Sequence, residues 1–271
     1  MTFEDFVRGH GLIVDGLVPD RWVAVPTEDH PRKKNGRYKW LGDVGWAQNW
    51  ATMERPQMWR GPDSTVDPRR IAQAADTRQQ EADRAAKKAG WILHQSELRT
   101  HPYLCRKGFP DERCAVWNDL LVIPMRRDGR LVGAQLIDQE GGKRFLAGQT
   151  TKGAAFVFDA KGPPIFCEGF ATGLSIRAAM QALKIRYTIY VCFSAGNIEG
   201  VAAKVSGGIV VADADSNGVG VRAACKTGKP YWVCDAVGED FNDHHARVGL
   251  FQAALSLKRA LFEKSVTADG T

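Results

Sequence analysis

Three acidic residues in the C-terminal half of the chain directly follow short apolar runs. Glu168 follows the run 165–167, and Asp213 and Asp215 follow the run 209–212. If both runs are strands of one parallel sheet, their carboxyl ends lie at the edge where open α/β sheets bind ligands. Side chains two residues apart on an extended chain share a face, so Asp213 and Asp215 can point the same way. The pattern predicts a group of carboxylates at this edge.

Two further acids, Asp240 and Asp243, come after a fourth apolar run at 231–234. Hard divalent cations such as Mg²⁺ and Mn²⁺ prefer carboxylate oxygens. Two such ions can stabilise the attacking and the leaving oxygen of a phosphoryl transfer. We therefore expect the first three acids to be catalytic and all five to hold metal. The alternative is that they are ordinary turn residues, because aspartates are common in loops.

The segments around these acids alternate between strand-like and helix-like patterns. Apolar runs at 165–167, 188–193, 208–212 and 231–234 are separated by helix-like segments at 171–183, 198–205 and 218–225. This alternation predicts an α/β domain with a parallel sheet and helices on both faces. We expect the domain to occupy residues 161–245 and to be followed by an amphipathic helix and a tail over 246–271.

A basic segment precedes the predicted α/β domain. Short apolar runs and turns predict a small mixed α+β subdomain over residues 100–160. Six of its basic residues fall in one short stretch: Arg126, Arg127, Arg130, Lys143, Arg144 and Lys152. On neighbouring strands they would line a groove that binds nucleic acid or a nucleotide. The alternative is a solvated sheet face, since Arg and Lys are usually exposed.

The first 62 residues are rich in tryptophan and hold five of the eight in the chain. A basic and aromatic segment lies among them: Arg32, Lys33, Lys34, Arg37, Tyr38, Lys39 and Trp40. Asn35-Gly36 predicts a tight hairpin turn at its basic tip. These residues are candidate contacts to single-stranded nucleic acid, with bases stacked on the aromatic rings. The alternative, that the tryptophans form a small core, is held equal, and different tryptophans can serve each purpose.

A connecting helix is predicted between this N-terminal module, residues 1–62, and the basic subdomain. The connecting segment is residues 63–99. The helical pattern within it covers 67–90, which are rich in Ala, Arg, Gln, Glu and Lys. Ser64 or Thr65 can cap its start, and Gly90 is expected to end it.

The composition narrows the class of protein. The chain has 271 residues, of which 44% are hydrophobic and 25% charged, as in globular domains that carry a real core. No apolar run approaches the roughly 18 residues that span a bilayer, so no membrane partner and a cytoplasmic location are expected. The net charge of +6 favours a polyanionic partner. Six cysteines without a CxxC pair indicate a reduced protein without disulfides.

The acidic motifs resemble those of toprim domains. The stretch Phe166-Cys167-Glu168-Gly169-Phe170-Ala171-Thr172-Gly173 is similar to the first toprim motif, and 210–220, with Asp213-Ala214-Asp215, is similar to its Asp-x-Asp motif. In that family the glutamate and the aspartates gather divalent metal, and the glutamate also serves in acid–base chemistry. The resemblance implies these roles for Glu168, Asp213 and Asp215. It also implies metal-site roles for Asp240 and Asp243, whose Asp-Phe-Asn-Asp resembles a motif of phage and plasmid primases.

The upstream segment resembles the basic subdomain of bacterial replicative primases over 118–133, 142–146 and 152–158, and 101–108 resembles plasmid- and phage-encoded toprim primases. The resemblance covers about residues 100–245. It implies a toprim DNA primase of the phage or plasmid type, which makes short RNA primers on single-stranded DNA with Mg²⁺ or Mn²⁺. Replicative primases carry an N-terminal Cys/His zinc domain. No cysteine precedes Cys105 here, so no zinc is expected.

Two other functions stay open. One is a metal-dependent toprim nuclease, and the other is a non-catalytic single-stranded DNA-binding protein that assists replication. For a primase, the expected partners are a single-stranded DNA template and nucleoside triphosphates, in the cytoplasm of a bacterial cell or a phage-infected host. The chain has no Gly-x4-Gly-Lys-Ser/Thr loop, so a helicase partner would be a separate protein.

Overall fold

The computed structural model describes residues 1–53, 55–62 and 68–262, without the side chains of 68–72 and 74. The chain divides into two compact units between Thr77 and Arg78, inside helix α2 (Pro68–His94). The first unit contains α1 (Phe3–Gly9), β1 (Trp22–Val25), β2 (Gly36–Trp40), β3 (Val44–Asn49) and β4 (Gln57–Arg60). Within the described ranges, no helix has the length and apolar character needed to cross a membrane.

The elements of the second unit follow α2 in chain order. They are β5 (Glu97–Arg99), α3 (Pro102–Arg106), β6 (Cys114–Trp117), β7 (Leu120–Arg127), β8 (Arg130–Ile137), β9 (Lys143–Phe145), β10 (Phe156–Asp159), β11 (Pro164–Cys167), α4 (Phe170–Ala182), β12 (Thr188–Val191), α5 (Ala195–Ala202), β13 (Ile209–Ala212), α6 (Val219–Lys226), β14 (Tyr231–Val233) and α7 (Phe241–Phe262).

The first unit is a four-stranded antiparallel sheet in the order β1-β2-β3-β4, and α1 packs on one of its faces. A capping box between Thr2 and Asp5 fixes the start of α1. Phe3 and Val7 of this helix share a buried cluster with Tyr38 of β2. The alternation of side chains along the strands therefore gives the sheet one apolar face.

The prediction of a tight hairpin turn at Asn35-Gly36 is wrong. Residues 26–35 connect β1 to β2, and Gly36 is already the first residue of β2, paired with Val25. Glycine is required there for space, because a Cβ at position 36 would lie 2.8 Å from Thr27 Cγ2. The predicted basic tip lies in the connection that precedes β2.

Gly45 of β3 lies directly against the buried ring of Phe3. A Cβ at position 45 would be 2.2 Å from Phe3 Cε2, so the ring would have to leave its place in the core. We expect Gly45→Ala to lower the free energy of unfolding by about 2 kcal/mol, measured by urea denaturation. Gly9→Ala is the matched control, because no atom lies within 4 Å of its added Cβ. Equal stability of Gly45→Ala and the wild type would contradict this packing.

Helix α2 continues past the stop that the sequence predicts at Gly90 and ends at His94. Its last turns present a buried apolar stripe to β7 and β8 of the second unit. The stripe consists of Ala85, Ala89 and Ile92. Burial of this stripe outweighs the cost of one internal glycine, which is about 1 kcal/mol. The cap predicted at Ser64 or Thr65 lies outside the described residues.

The second unit contains two sheets. The first is antiparallel, in the order β5-β6-β7-β8-β9. Asp128 and Gly129 join β7 to β8 with φ angles of 52° and 78°, as a two-residue hairpin turn requires. Residues 91–118 contain the end of α2, strands β5 and β6, and helix α3.

The other sheet has the order β10-β12-β11-β13-β14, in which β11 to β14 are parallel and β10 is antiparallel. Ile165 of β11 faces a core shared with α4 and α7, whereas the adjacent Phe166 faces a core shared with α5 and α6. The prediction of a parallel sheet with helices on both faces is confirmed for β11 to β14.

Two predicted boundaries differ from the observed elements. Strand β10, placed by the sequence in the basic subdomain, is the edge strand of the second sheet and pairs with β12. One buried cluster joins Leu121 of β7 to Ile165 of β11, so residues 100–160 and 161–245 share a core. Helix α7 begins at Phe241 rather than at 246, and Gly249 interrupts it with φ 80° and ψ 159°.

Candidate metal centre

The candidate site lies at a topological switch point of the parallel sheet. The chain passes from β11 to β12 on one side and then returns to β13 on the other side of β11. The helices that follow β11 and β12 cover opposite faces of the sheet. The connections therefore diverge at the carboxyl ends of β11 and β13, which leaves a crevice there. Glu168 directly follows β11, and Asp213 directly follows β13.

Four carboxylates at this crevice influence one another electrostatically. Burial, followed by the charges of Glu168, Asp240 and Asp215, raises the pKa of Asp213 to about 7, although the charge of Lys143 acts in the opposite direction. Burial and then the charge of Asp215 also raise the pKa of Glu168. Like charges that raise one another's pKa favour the uptake of a proton or a cation. We call Glu168, Asp213, Asp215 and Asp240 the carboxylate group.

One oxygen of the carboxylate group has a chemistry that a cation would satisfy. Asp213 Oδ1 is buried, and no residue that the structure describes hydrogen-bonds to it. A buried carboxylate oxygen without a donor is costly. A divalent ion such as Mg²⁺ or Mn²⁺ would satisfy this oxygen and offset the mutual repulsion, since the donor set is all oxygen.

Two glycines shape the loop that carries Asp213 and Asp215. Gly218 caps α6 in the left-handed conformation, with φ 67°. A Cβ at Gly220 would lie 2.4 Å from the Asp213 carbonyl oxygen, so only glycine permits this approach. The Gly220 N–H donates to Asp215 Oδ2 at 3.1 Å. The start of α6 thus holds Asp215 in place at the end of β13.

The loop after β12 holds Glu168. The Phe193 N–H donates to the Glu168 carbonyl at 2.9 Å, and the Ala195 N–H at the start of α5 bonds the Glu168 carboxylate and lowers its pKa. Phe193 has φ 69°, a left-handed conformation that costs a non-glycine residue about 1–2 kcal/mol. Strain of this kind is concentrated at functional sites.

Asp240 and Asp243 form the start of α7. Asp240 Oδ1 accepts hydrogen bonds from the N–H groups of Asn242 and Asp243 at 2.7 and 2.9 Å, as an N-cap residue does. Asp240 also belongs to the carboxylate group, through its effect on Asp213. Asp243 forms an ion pair with Lys107 at 3.2 Å. A metal-binding role for Asp243 stays a prediction.

Tyr103 and Lys107 border the site and were not among the predicted site residues. Burial, followed by the charges of Asp240 and Asp243, raises the pKa of Tyr103 to about 12. Both residues lie in the stretch 101–108, whose resemblance to primases implies no role for either residue. That resemblance is the feature of the sequence that points to this part of the site.

The six predicted basic residues do not form one group. Lys143 of β9 pairs with Ile137 at one end of β8, whereas Arg130 pairs with Arg127 at the other end. Seven residues of extended chain separate these ends, or about 23 Å. Arg126 also lies near the tip of the β7–β8 hairpin. Arg127 is close to Gly153, which follows Lys152 in the chain. Arg144 alternates to the opposite face of β9 from Lys143.

Lys143 is the basic side chain whose charge reaches the carboxylate group. If a nucleoside triphosphate binds beside the metal ions, Lys143→Gln should raise the KM for nucleotide on the order of tenfold, because a phosphate loses a charged partner. Steady-state kinetics at saturating Mn²⁺ would measure this. Lys258→Gln, an exposed lysine in the last turns of α7, should leave KM unchanged. Equal KM values for both variants would contradict this role.

The predicted single-strand contacts divide between core and surface. Tyr38 is only 1% exposed and its hydroxyl accepts a hydrogen bond from the Val18 N–H. Trp40 packs against the core of the first unit, and Lys39 is buried. The guanidinium group of Arg37 stacks on Trp22, with its Cζ 4.5 Å from the ring centroid. Three basic residues of the segment are exposed: Arg32, Lys33 and Lys34.

The tryptophans of the first unit divide in the same way. Trp40 and Trp59 pack against the core, whereas Trp22 is 39% and Trp50 is 46% exposed. Trp40 and Trp59 are therefore core residues. Trp22 and Trp50 are exposed, and their contact with bases stays a prediction.

No protein-family model and no curated protein matches the chain. A chain from the structure of bacteriophage T7 lagging-strand DNA polymerase, interacting with primase domains of two gp4 subunits bound to an RNA/DNA hybrid and dTTP, is 14% identical. That alignment has a TM-score of 0.42 and covers 61% of the present chain and 91% of the other. A DNA primase domain from Pseudomonas aeruginosa is 16% identical, with a TM-score of 0.35, over 56% of the present chain and 57% of the other. Likeness of this degree does not by itself assign a fold or an activity.

Proposed function

We propose that the second unit is the catalytic core of a toprim DNA primase of the phage or plasmid type. It makes short RNA primers on single-stranded DNA by nucleotidyl transfer that depends on Mg²⁺ or Mn²⁺. The observation that carries the proposal is the carboxylate group at the switch point, with a buried Asp213 oxygen that lacks a donor among the described residues. The motifs that resemble primases across residues 100–245 favour primer synthesis over other toprim reactions.

The residues of the chain have distinct tasks in this reaction. Glu168, Asp213, Asp215 and Asp240 would hold the divalent ions, which polarise phosphate oxygens and lower the pKa of an attacking hydroxyl. Glu168 can accept the proton of the 3′ hydroxyl as that oxygen attacks the α-phosphate and pyrophosphate leaves. The Ala195 N–H holds the Glu168 carboxylate in position for this transfer.

Two side chains on one face of β9 are suited to a nucleotide. Lys143 can pair with phosphate oxygens of the triphosphate or the template. Phe145, two residues along the strand, is 43% exposed. Its ring forms a T-shaped pair with the ring of Phe193, and the two ring centroids are 6.4 Å apart. An exposed ring in this position can stack on a base. In the first unit, Trp22, Trp50 and the exposed basic residues are proposed to bind the single strand.

The proposal is tested by primer synthesis from labelled ribonucleotides on single-stranded DNA, without an added primer. Wild type and Asp213→Asn are compared with Mg²⁺ and with Mn²⁺. Template-dependent products from wild type alone would support a primase. Cleavage of labelled DNA with Mn²⁺ and no nucleotides would indicate a nuclease instead. Salt-sensitive binding of single strands with no product under any condition would indicate an accessory protein.

A further inference from the structure

A second group of metal-binding side chains lies where β14 ends and α7 begins. Cys234, Asp235 and His244 each offer a donor atom, and these atoms all lie within 4.8 Å of one another. Cys234 and His244 are buried, whereas Asp235 is exposed. A thiol, an imidazole and a carboxylate are the mixed donor set that zinc takes up, whereas Mg²⁺ prefers oxygen alone.

The distances between the three donor atoms are close to those of a tetrahedral site. Cys234 Sγ lies 3.4 Å from Asp235 Oδ1 and 3.5 Å from His244 Nδ1. Nδ1 and Oδ1 are 3.9 Å apart. Ligand bonds of about 2.0–2.3 Å give a zinc tetrahedron edges of about 3.4–3.6 Å. Glu239 Oε2, 3.3 Å from Cys234 Sγ, lies within reach of a fourth position.

A positive charge already sits against these donors. Arg247 Nη2 lies 2.9 Å from Asp235 Oδ1, 3.2 Å from His244 Nδ1 and 3.6 Å from Cys234 Sγ. Arg247 Nε donates to both carboxylate oxygens of Glu239 at 2.9 Å. The donor set thus converges on one cation. The Arg247 side chain is 42% exposed, so it can move into solvent when an ion replaces it.

The imidazole of His244 is oriented to bind an ion through Nδ1. Arginine can only donate hydrogen bonds, so Nδ1 accepts from Arg247 and the ring proton lies on Nε2. Nε2 faces the Ser256 hydroxyl at 3.4 Å. A partner on the second ring nitrogen is the usual way in which a metal-binding histidine is held in one tautomer.

We propose that Cys234, Asp235 and His244 bind one zinc-class ion, with Glu239 or water as the fourth ligand and with Arg247 displaced. Binding releases the thiol proton to solvent. The expectation of no zinc rests on the absence of cysteines before Cys105, whereas these donors are brought together by the turn into α7. The site uses none of the carboxylate group, so it stands or falls separately from the proposed primase. Its effect would be to tie the loop that ends at Asp240 to α7.

The test is titration of the whole protein with Co²⁺ alone as the probe, in excess Mg²⁺ to occupy the carboxylate group. A near-ultraviolet thiolate-to-cobalt charge-transfer band at one equivalent, abolished by added Zn²⁺, is expected. Cys234→Ser should abolish the band, and His244→Gln should weaken Co²⁺ binding on the order of tenfold or more. Arg247→Gln should strengthen binding on the order of tenfold, because a competing positive charge is removed.

Two controls make the result decisive. Cys225→Ser, at an exposed cysteine, should keep the band, and so should Asp213→Asn, which impairs the carboxylate group. Circular dichroism of each variant verifies that it is folded. Absence of the band from folded wild type would overturn the proposal, and so would a band that survives in Cys234→Ser.

Discussion

Asp213→Asn is expected to reduce primer synthesis by about a thousandfold or more while the protein stays folded. The substitution keeps the size of the side chain but removes the charge of the residue whose Oδ1 is buried without a donor among the described residues. A thousandfold loss corresponds to about 4 kcal/mol of transition-state stabilisation, which is in the range for loss of a major electrostatic contribution. The measurement is the initial rate of labelled primer formation with saturating Mn²⁺ and nucleotides.

The matched control for this variant is Asp128→Asn. Asp128 lies in the β7–β8 turn with φ 52°, a conformation that asparagine also adopts readily. Its exposed ion pair with Lys204, at 3.3 Å, contributes little to stability. Asp128→Asn should therefore retain a rate close to that of wild type. Undiminished primer synthesis by Asp213→Asn would show that the chemistry takes place elsewhere.

Metal-free wild type should become less stable than metal-free Asp213→Asn as the pH rises from about 4 to 7. The unfolded chain has an ordinary Asp213 pKa near 3.8, whereas the folded pKa is about 7. In this window the folded state binds more protons than the unfolded state, so its stability falls with increasing pH. A shift of this size corresponds to a difference of about 4 kcal/mol at pH 7.5. Asparagine does not titrate, so the variant lacks this contribution.

The measurement is urea unfolding in EDTA from pH 4 to 8, with the two stabilities subtracted at each pH. Subtraction cancels the contributions of titrating groups that do not interact with Asp213. Addition of Mn²⁺ at pH 7.5 should stabilise the wild type more than the variant, since an ion that binds only the folded state raises the free energy of unfolding. A difference that is flat across this pH range would contradict the raised pKa, and equal stabilisation of both proteins by Mn²⁺ would contradict the proposed cation site.

The elements around the carboxylate group could be predicted because their signals are local. Runs such as 165–167 and 209–212 are too short and too apolar to be anything but buried strands in an alternating α/β pattern. The order of strands could not be predicted, because pairing depends on contacts far apart in sequence. The crevice depends on β13 returning to the far side of β11, and no local residue records that choice.

Polar residues that become buried account for other errors. The sequence predicts that the last helix begins at 246, whereas α7 begins at Phe241. The polar residue Asn242 in its first turn is buried and donates to the Lys107 carbonyl and the Ser175 hydroxyl. Tyr38 reads as a surface ring, although its hydroxyl has a partner inside the first unit. In each case a specific hydrogen bond permits burial, and the partner is distant in sequence.

The break in α7 at Gly249 has a mechanical consequence. With φ 80° and ψ 159°, this residue is in a region of φ and ψ that essentially only glycine occupies. The helix is therefore interrupted at Gly249. The proximal half is anchored by the side chain of Asn242, and the distal half is anchored by Ala253, Ala254 and Leu257 in the main core. The two halves of α7 are therefore held by different side chains, and the contact between His244 and the Ser256 hydroxyl links them across the break. Asp240 and Asp243 lie at the end of the half that Asn242 anchors, so their position depends on the Asn242 hydrogen bonds rather than on a continuous helix.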